Sequence, residues 1–288
     1  MLQAFLSKAD PGLMQWVENN VSFPNSMVDR ITPVTTREDI EELKQKFEID
    51  DAWPVKCEPF CQWVIEDKFN NGRPPWEQVG AQFVADVDPY EKMKIRLLNG
   101  GHVALGLTGF LCGHKYVHEA ASDAILEKFL IGFMDHEVTP VLDNVTGIDL
   151  EDYKLSLLSR FKNPHIKDQL TRIVSGNSAK IPKFILPTIN EQLKRSGPIT
   201  RSVAIIAAWC KYVEQAGKPG HQYEIQDEMG EELQKAALQS GNDPLTFLNI
   251  KSVFGDLSLS TRFTDIYLSI INDFRTNDAV EVILKYSV

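Results

Sequence analysis

The sequence predicts a mainly α-helical protein entered through a short mixed α/β segment. Two patterns carry this. From Tyr90 almost to the C-terminus, apolar residues recur at three- and four-residue steps, as at Ile125, Phe129 and Phe133 within 120–142, and again through 202–213 and 262–274. That is the period of helices with one buried face. Between Trp53 and Val84 the apolar runs are short, as in Cys61-Gln-Trp-Val-Ile-Glu66, and surround a Gly/Pro-rich loop at 70–75. Strands are punctuated in this way. With 288 residues, 43% of them hydrophobic and 24% charged, the chain is long enough for one or two globular domains.

Taken in order, Asp10-Pro-Gly-Leu-Met-Gln-Trp-Val17 reads as a helix capped by Asp10 with proline at its first position. Residues 21–31 are rich in β-formers and broken by Pro24, which predicts an extended crossover. Thr35-Thr-Arg-Glu-Asp39 starts another helix, with acidic residues in the first turn. A few strands follow between Trp53 and Val84, and helices continue from Tyr90. In Asp135-His-Glu-Val-Thr-Pro140 a polar elbow is expected to end a helix at the proline.

Chemistry concentrates in Tyr90–Gly106. Lys94, Asn99 and His102 stand at offsets 0, 5 and 8. On an α-helix, ~100° per residue places them at roughly 0°, 140° and 80°, with His102 between the other two. A lysine that moves a proton, an amide that donates to a developing oxyanion and an imidazole that holds the reacting oxygen suit chemistry on a hydroxyl or carbonyl. The spacing equally fits an amphipathic helix with a solvated Lys94 and a capping Asn99 beside Gly100-Gly101. A lysine near its ordinary pKa of ~10.4 is a poor base at neutrality, so the catalytic reading requires burial or nearby positive charge.

Together with Phe23-Pro-Asn-Ser-Met-Val-Asp-Arg-Ile-Thr-Pro33, this Lys-x4-Asn-x2-His run resembles the polyol-specific long-chain dehydrogenases, the mannitol dehydrogenase family. The resemblance extends through Gln62-Trp-Val-Ile-Glu-Asp67, Asp135–Pro140 and Arg172–Pro182. It implies a multi-helical C-terminal substrate domain over 35–288, preceded at 1–34 by a remnant of the NAD-binding domain and the crossover. The implied activity is metal-independent oxidation of D-mannitol to D-fructose with NAD, or with NADP. Lys94 is then the general acid/base, Asn99 the oxyanion donor and His102 the orienting group. Asp29, Arg172 and Lys180 are implied to bind the polyol or ketose, and Asn25 and Ser26 to lie near the nicotinamide. A hexuronate reductase of the same family is the alternative within the class.

No Gly-x-Gly-x-x-Gly occurs in the sequence, although the family resemblance implies one in a dinucleotide-binding domain. That domain is therefore expected to be largely missing. A truncated, non-catalytic fragment is the alternative outside the enzyme class, and an exposed apolar face is expected around 25–31 and 94–102.

A net charge of −10 argues against a nucleic-acid partner. No apolar run reaches the ~18–20 residues of a membrane span, and no signal pattern is evident, so the expected compartment is the cytosol. Cys57, Cys61, Cys112 and Cys210 have no zinc-site spacing and are expected to be free thiols. His114 and His118, four residues apart, lack a third ligand in the pattern.

Overall fold

The computed structural model describes residues 2–287. The chain divides into two units: residues 1–32 with 57–91, and residues 33–56 with 92–288.

The first unit opens with helices α1 (Leu2–Ala9) and α2 (Pro11–Asn20). Asp10 caps α2 as the sequence predicts, its Oδ1 accepting from the Leu13 amide at 3.0 Å. The predicted crossover contains a strand, β1 (Ser26–Asp29), because alternation buries Met27 and Asp29 on one side and leaves Val28 exposed. It runs antiparallel to β2 (Gln62–Glu66), pairing Ser26 with Ile65 and Asp29 with Gln62. The third strand, β3 (Ala81–Val84), lies parallel to β2, with Trp63 opposite Ala81. Aromatic packing organises the connection between them: Trp63 stacks on Trp76 at 5.1 Å, and the Arg73 guanidinium sits 3.5 Å from the Phe83 ring centre.

The second unit contains α3 (Arg37–Phe47), which begins within the stretch Thr35–Asp39 that the sequence predicts to start a helix. Thr36 and Asp39 form a reciprocal capping box, with bonds of 3.2 and 2.9 Å. After α4 (Asp88–Met93) come α5 (Gly100–Leu111), α6 (Val117–Ser122), α7 (Ala124–Gly132) and α8 (Leu150–Phe161). Three short helices follow, α9 (Leu170–Ile173), α10 (Asn177–Phe184) and α11 (Leu186–Lys194). The unit continues through α12 (Thr200–Gln215), α13 (Gly230–Gln239), α14 (Lys251–Phe254), α15 (Thr261–Thr276) and α16 (Ala279–Tyr286). Its core is the packing of α12 against α15 and α5, and most of α5 and α12 is buried.

Gly100 and Gly101 do not cap a helix. The helix runs straight through them, and Asn99 has helical backbone angles with no capping bond. The glycines of α5 serve close approach instead. A Cβ on Gly106 would collide with Ile173 of α9, reaching 3.1 Å from its Cβ, and one on Gly109 would lie 2.6 Å from the Ala120 Cβ. Over the two stretches expected to form an exposed apolar face, Met27, Ile31, Leu97, Leu98 and residues 100–102 are buried, whereas Val28 is exposed.

Two segments depart from α-helical winding. Lys94–Asn99 and Phe133–Val138 are π-helical turns, the first joining α4 to α5 and the second following α7. The second leads into a 3-10 turn at Thr139–Val141, so the helix does end at the predicted Pro140 elbow. Glu137 within it is fully buried and accepts from the Arg201 and Ser202 amides at 2.7 and 2.8 Å and from Ser202 Oγ at 2.5 Å. It therefore satisfies the N-terminus of α12. Burial pushes its carboxyl pKa up, against the lowering effect of these bonds. Among the described residues no helix is long and apolar enough to cross a membrane.

Candidate active site

The first π turn decides how Lys94, Asn99 and His102 are presented. Hydrogen bonds in it span five residues, as in the Gly100 amide donating to the Ile95 carbonyl. Residues five apart are then closer around the axis than the ~140° of an α-helix. Lys94 is the first residue of the turn and Asn99 the last. The wider winding thus narrows the angle between the amide and the lysine, and His102 follows three α-helical residues later. Both Lys94 and Asn99 are half-buried.

His102 is 8% exposed and packs against the Phe161 ring, centre to centre 4.5 Å. Burial lowers its pKa to about 4. The charges of Arg172, Arg160 and Lys94 push in the same direction, and Asp168 opposes them. The imidazole is neutral at pH 7. Two polar atoms here are buried without a hydrogen-bond partner, His102 Nε2 and Asn99 Oδ1. Half a turn of the amide would present its NH2 group in place of the oxygen. Unpaired buried groups of this kind are rare and costly in a folded protein. A substrate oxygen is the partner their chemistry suits.

Arg172 lies on α9 with two of its nitrogens on Asp168: Nε donates to Oδ1 at 2.7 Å and Nη2 to Oδ2. Lys180 of α10 is turned to the backbone, donating to the carbonyls of Ile173 at 2.9 Å and Arg172 at 3.5 Å. Burial lowers the Lys180 pKa, assisted by the charge of Arg172.

The remaining three sequence candidates belong to the first unit. Asp29 is fully buried on β1. Asn25 and Ser26 are exposed, with the Asn25 side-chain oxygen accepting from the Ser26 amide at 2.8 Å and Ser26 Oγ accepting from Trp63 Nε1 at 2.9 Å. The structure thus groups Lys94, Asn99, His102, Arg172 and Lys180 in the second unit and Asn25, Ser26 and Asp29 in the first.

Sequence reasoning missed Asp168, although its spacing of four residues to Arg172 was a readable signal for an ion pair. It also missed Arg160 and Phe161, for which no local pattern exists. Among the described residues no group of three or more His, Cys, Asp or Glu side chains could hold a metal ion.

Residues 86–269 match the sequence profile of the mannitol dehydrogenase C-terminal domain. The chain belongs to the mannitol dehydrogenase family. Residues 1–78 match the profile of the family's Rossmann domain, which corrects the expectation that this domain is largely missing. The match continues well past residue 34, through β1 and β2. Relatives align with nearly all of this chain.

Mannitol 2-dehydrogenase of Aspergillus fumigatus is 44% identical over 290 residues, covering 99% of this chain and 58% of the relative. That of Pyricularia oryzae is 48% identical over 259 residues, covering 89% and 52%. Among solved structures, Pseudomonas fluorescens mannitol 2-dehydrogenase in a ternary complex with NAD and D-mannitol superposes with a TM-score of 0.90 at 43% identity, covering 99% of this chain and 58% of that one. A substrate-free D-sorbitol dehydrogenase gives 0.85 at 32% identity, covering 98% and 58%. The chain therefore spans little more than half the length of these family members.

Proposed function

We propose that this protein is a polyol dehydrogenase, oxidising a secondary alcohol of a straight-chain polyol, D-mannitol to D-fructose, with NAD. The observation that carries the reading is the pair of buried, unpartnered atoms, Asn99 Oδ1 and His102 Nε2, on the helical segment that also bears Lys94. In this reading the residues that match the C-terminal domain, 86–269, supply the substrate domain, and Asn25 and Ser26 meet the nicotinamide edge. Their exposure suits a carboxamide partner. NAD, when bound, supplies the hydride acceptor.

Lys94, as the neutral amine, takes the hydroxyl proton while the C–H bond of the same carbon gives up its hydride. The alcohol oxygen becomes a carbonyl through a state with developing negative charge. Asn99, turned to present its NH2 group, donates to that oxygen, a bond stronger in the transition state than in the bound alcohol. His102, neutral, bonds the same oxygen through Nε2 and fixes its direction without adding a charge. In the reverse direction protonated Lys94 returns the proton to the alkoxide.

Polyol suits this site better than hexuronate. A carboxylate would need an unengaged cationic clamp, whereas Arg172 is already paired with buried Asp168 and Lys180 faces backbone carbonyls. The test is a panel of D-mannitol, sorbitol, arabinitol and hexuronates assayed with NAD and with NADP. D-mannitol with NAD is expected to give the highest kcat/KM, and a preference for fructuronate or tagaturonate would overturn the substrate class.

A further inference from the structure

The segment carrying Arg172 is held from several sides at once. The Asp168 carbonyl accepts from the Val117 amide at 2.9 Å, and the Leu170 amide donates to the Lys115 carbonyl at 3.0 Å. These bonds tie the start of α9 to the start of α6. At its other end, the Arg172 carbonyl accepts from Ser175 Oγ at 2.7 Å, and Lys180 covers the Ile173 carbonyl. Ile173 itself sits on Gly106, where α5 allows no Cβ. The side chain of Asp168 is only 3% exposed, and its two oxygens grip one edge of the guanidinium, that of Nε and Nη2. The side chain of Arg172 is 39% exposed. The edge of the fork that carries Nη1 is not used in this contact.

We infer that Asp168 is a positioning residue for polyol recognition: it locks the Arg172 guanidinium so that its outer edge meets substrate hydroxyls. This rests on the proposed role of Arg172 in binding the polyol. The chemistry favours such a lock. An unpaired arginine samples many rotamers and must be ordered by the substrate, whereas a bidentate carboxylate orders it beforehand. Asp168 also offsets part of the cationic charge of Arg172, Arg160 and Lys94 around His102.

The experiment compares Asp168→Asn, Asp168→Glu, Arg172→Ala and the double variant Asp168→Asn/Arg172→Ala in the full chain. It measures kcat and KM for D-mannitol with NAD, together with the 15N–1H signal of Arg172 Nε. The expected results are an Asp168→Asn KM raised about tenfold with kcat changed less, partial recovery in Asp168→Glu, and a double variant no worse than Arg172→Ala. The Nε–H signal, sharp and protected in the parent chain, should broaden or exchange in Asp168→Asn. If Arg172→Ala raises KM but Asp168→Asn does not, or if the two effects add, Asp168 has no such role. If Arg172→Ala leaves KM unchanged, the inference falls together with the assignment of Arg172 to the polyol. A loss of both kcat and fold in Asp168→Asn, without recovery by Asp168→Glu, would mark it as merely structural.

Discussion

Buried His102 should make the stability of the protein fall as the solution becomes mildly acidic. The imidazole titrates at about 4 in the folded chain, against 6.5 in the unfolded one. Between those values the unfolded state binds a proton that the folded state refuses. Stability contributed by the neutral ring is thus fully present above pH 6.5 and is lost as the pH falls through that window. At about 1.4 kcal/mol per pKa unit, the whole window is worth about 3 kcal/mol, and about 2 kcal/mol disappears between pH 7 and pH 5.

Glu137, whose pKa is raised by burial, works in the opposite sense: its contribution is present at low pH and declines as pH rises through its folded value. A single profile would therefore mix the two. The discriminating comparison is the denaturant midpoint of the parent chain and of His102→Gln, measured from pH 7.5 to pH 4.5, with the pH dependence of the difference assigned to His102. NMR titration of the His102 Cε1 proton reports the same value if the variant folds poorly. Parallel stability profiles, or a His102 that titrates near 6.5, would refute the claim that a neutral imidazole is held among cations.

Gly106→Ala should destabilise the protein by about 1–3 kcal/mol despite the helix-favouring change, because its Cβ meets Ile173; thermal denaturation would show it, and an increase in Tm would contradict the close packing of α5 on α9. The same change should raise KM for D-mannitol, since α9 carries Arg172. Glu137→Ala should cost about 2–4 kcal/mol by stripping the α12 N-terminus of its acceptors, and unchanged denaturant midpoints would sink that assignment.

Much of this was legible in the residues themselves. Asp10 with Pro11, and the Thr/Asp pattern before α3, announced helix starts within a residue, since capping is local chemistry. The alternation from Ser26 to Asp29 was equally local, yet Pro24 drew attention to an extended crossover rather than to a paired strand. The π turn at Lys94–Asn99 left no readable signal. It adds a residue to one turn of an apolar, glycine-bearing helix, and only packing on both sides of α5 selects it. Gly100-Gly101 looked like a helix end because glycine usually marks one, whereas here the reason for glycine is Phe161 at 3.2 Å from where a Gly101 Cβ would lie. The absent Gly-x-Gly-x-x-Gly suggested a missing domain, but the family's Rossmann profile matches residues 1–78 without that motif. His102 was picked by spacing and family resemblance; its neutrality depends on Arg160, Arg172 and Asp168, which come from distant parts of the chain.

The central claim, that Lys94 moves the proton at a carbinol held by Asn99 and His102, is tested most directly by the rate of NAD reduction with D-mannitol in the parent chain and in Lys94→Ala, with circular dichroism as the control for fold. Loss of the general base is expected to lower kcat by ~10²–10⁴ at neutral pH with the helical signal unchanged, and added primary amine should restore part of it. A variant that turns over at near the parent rate, with the same pH profile, would contradict the account.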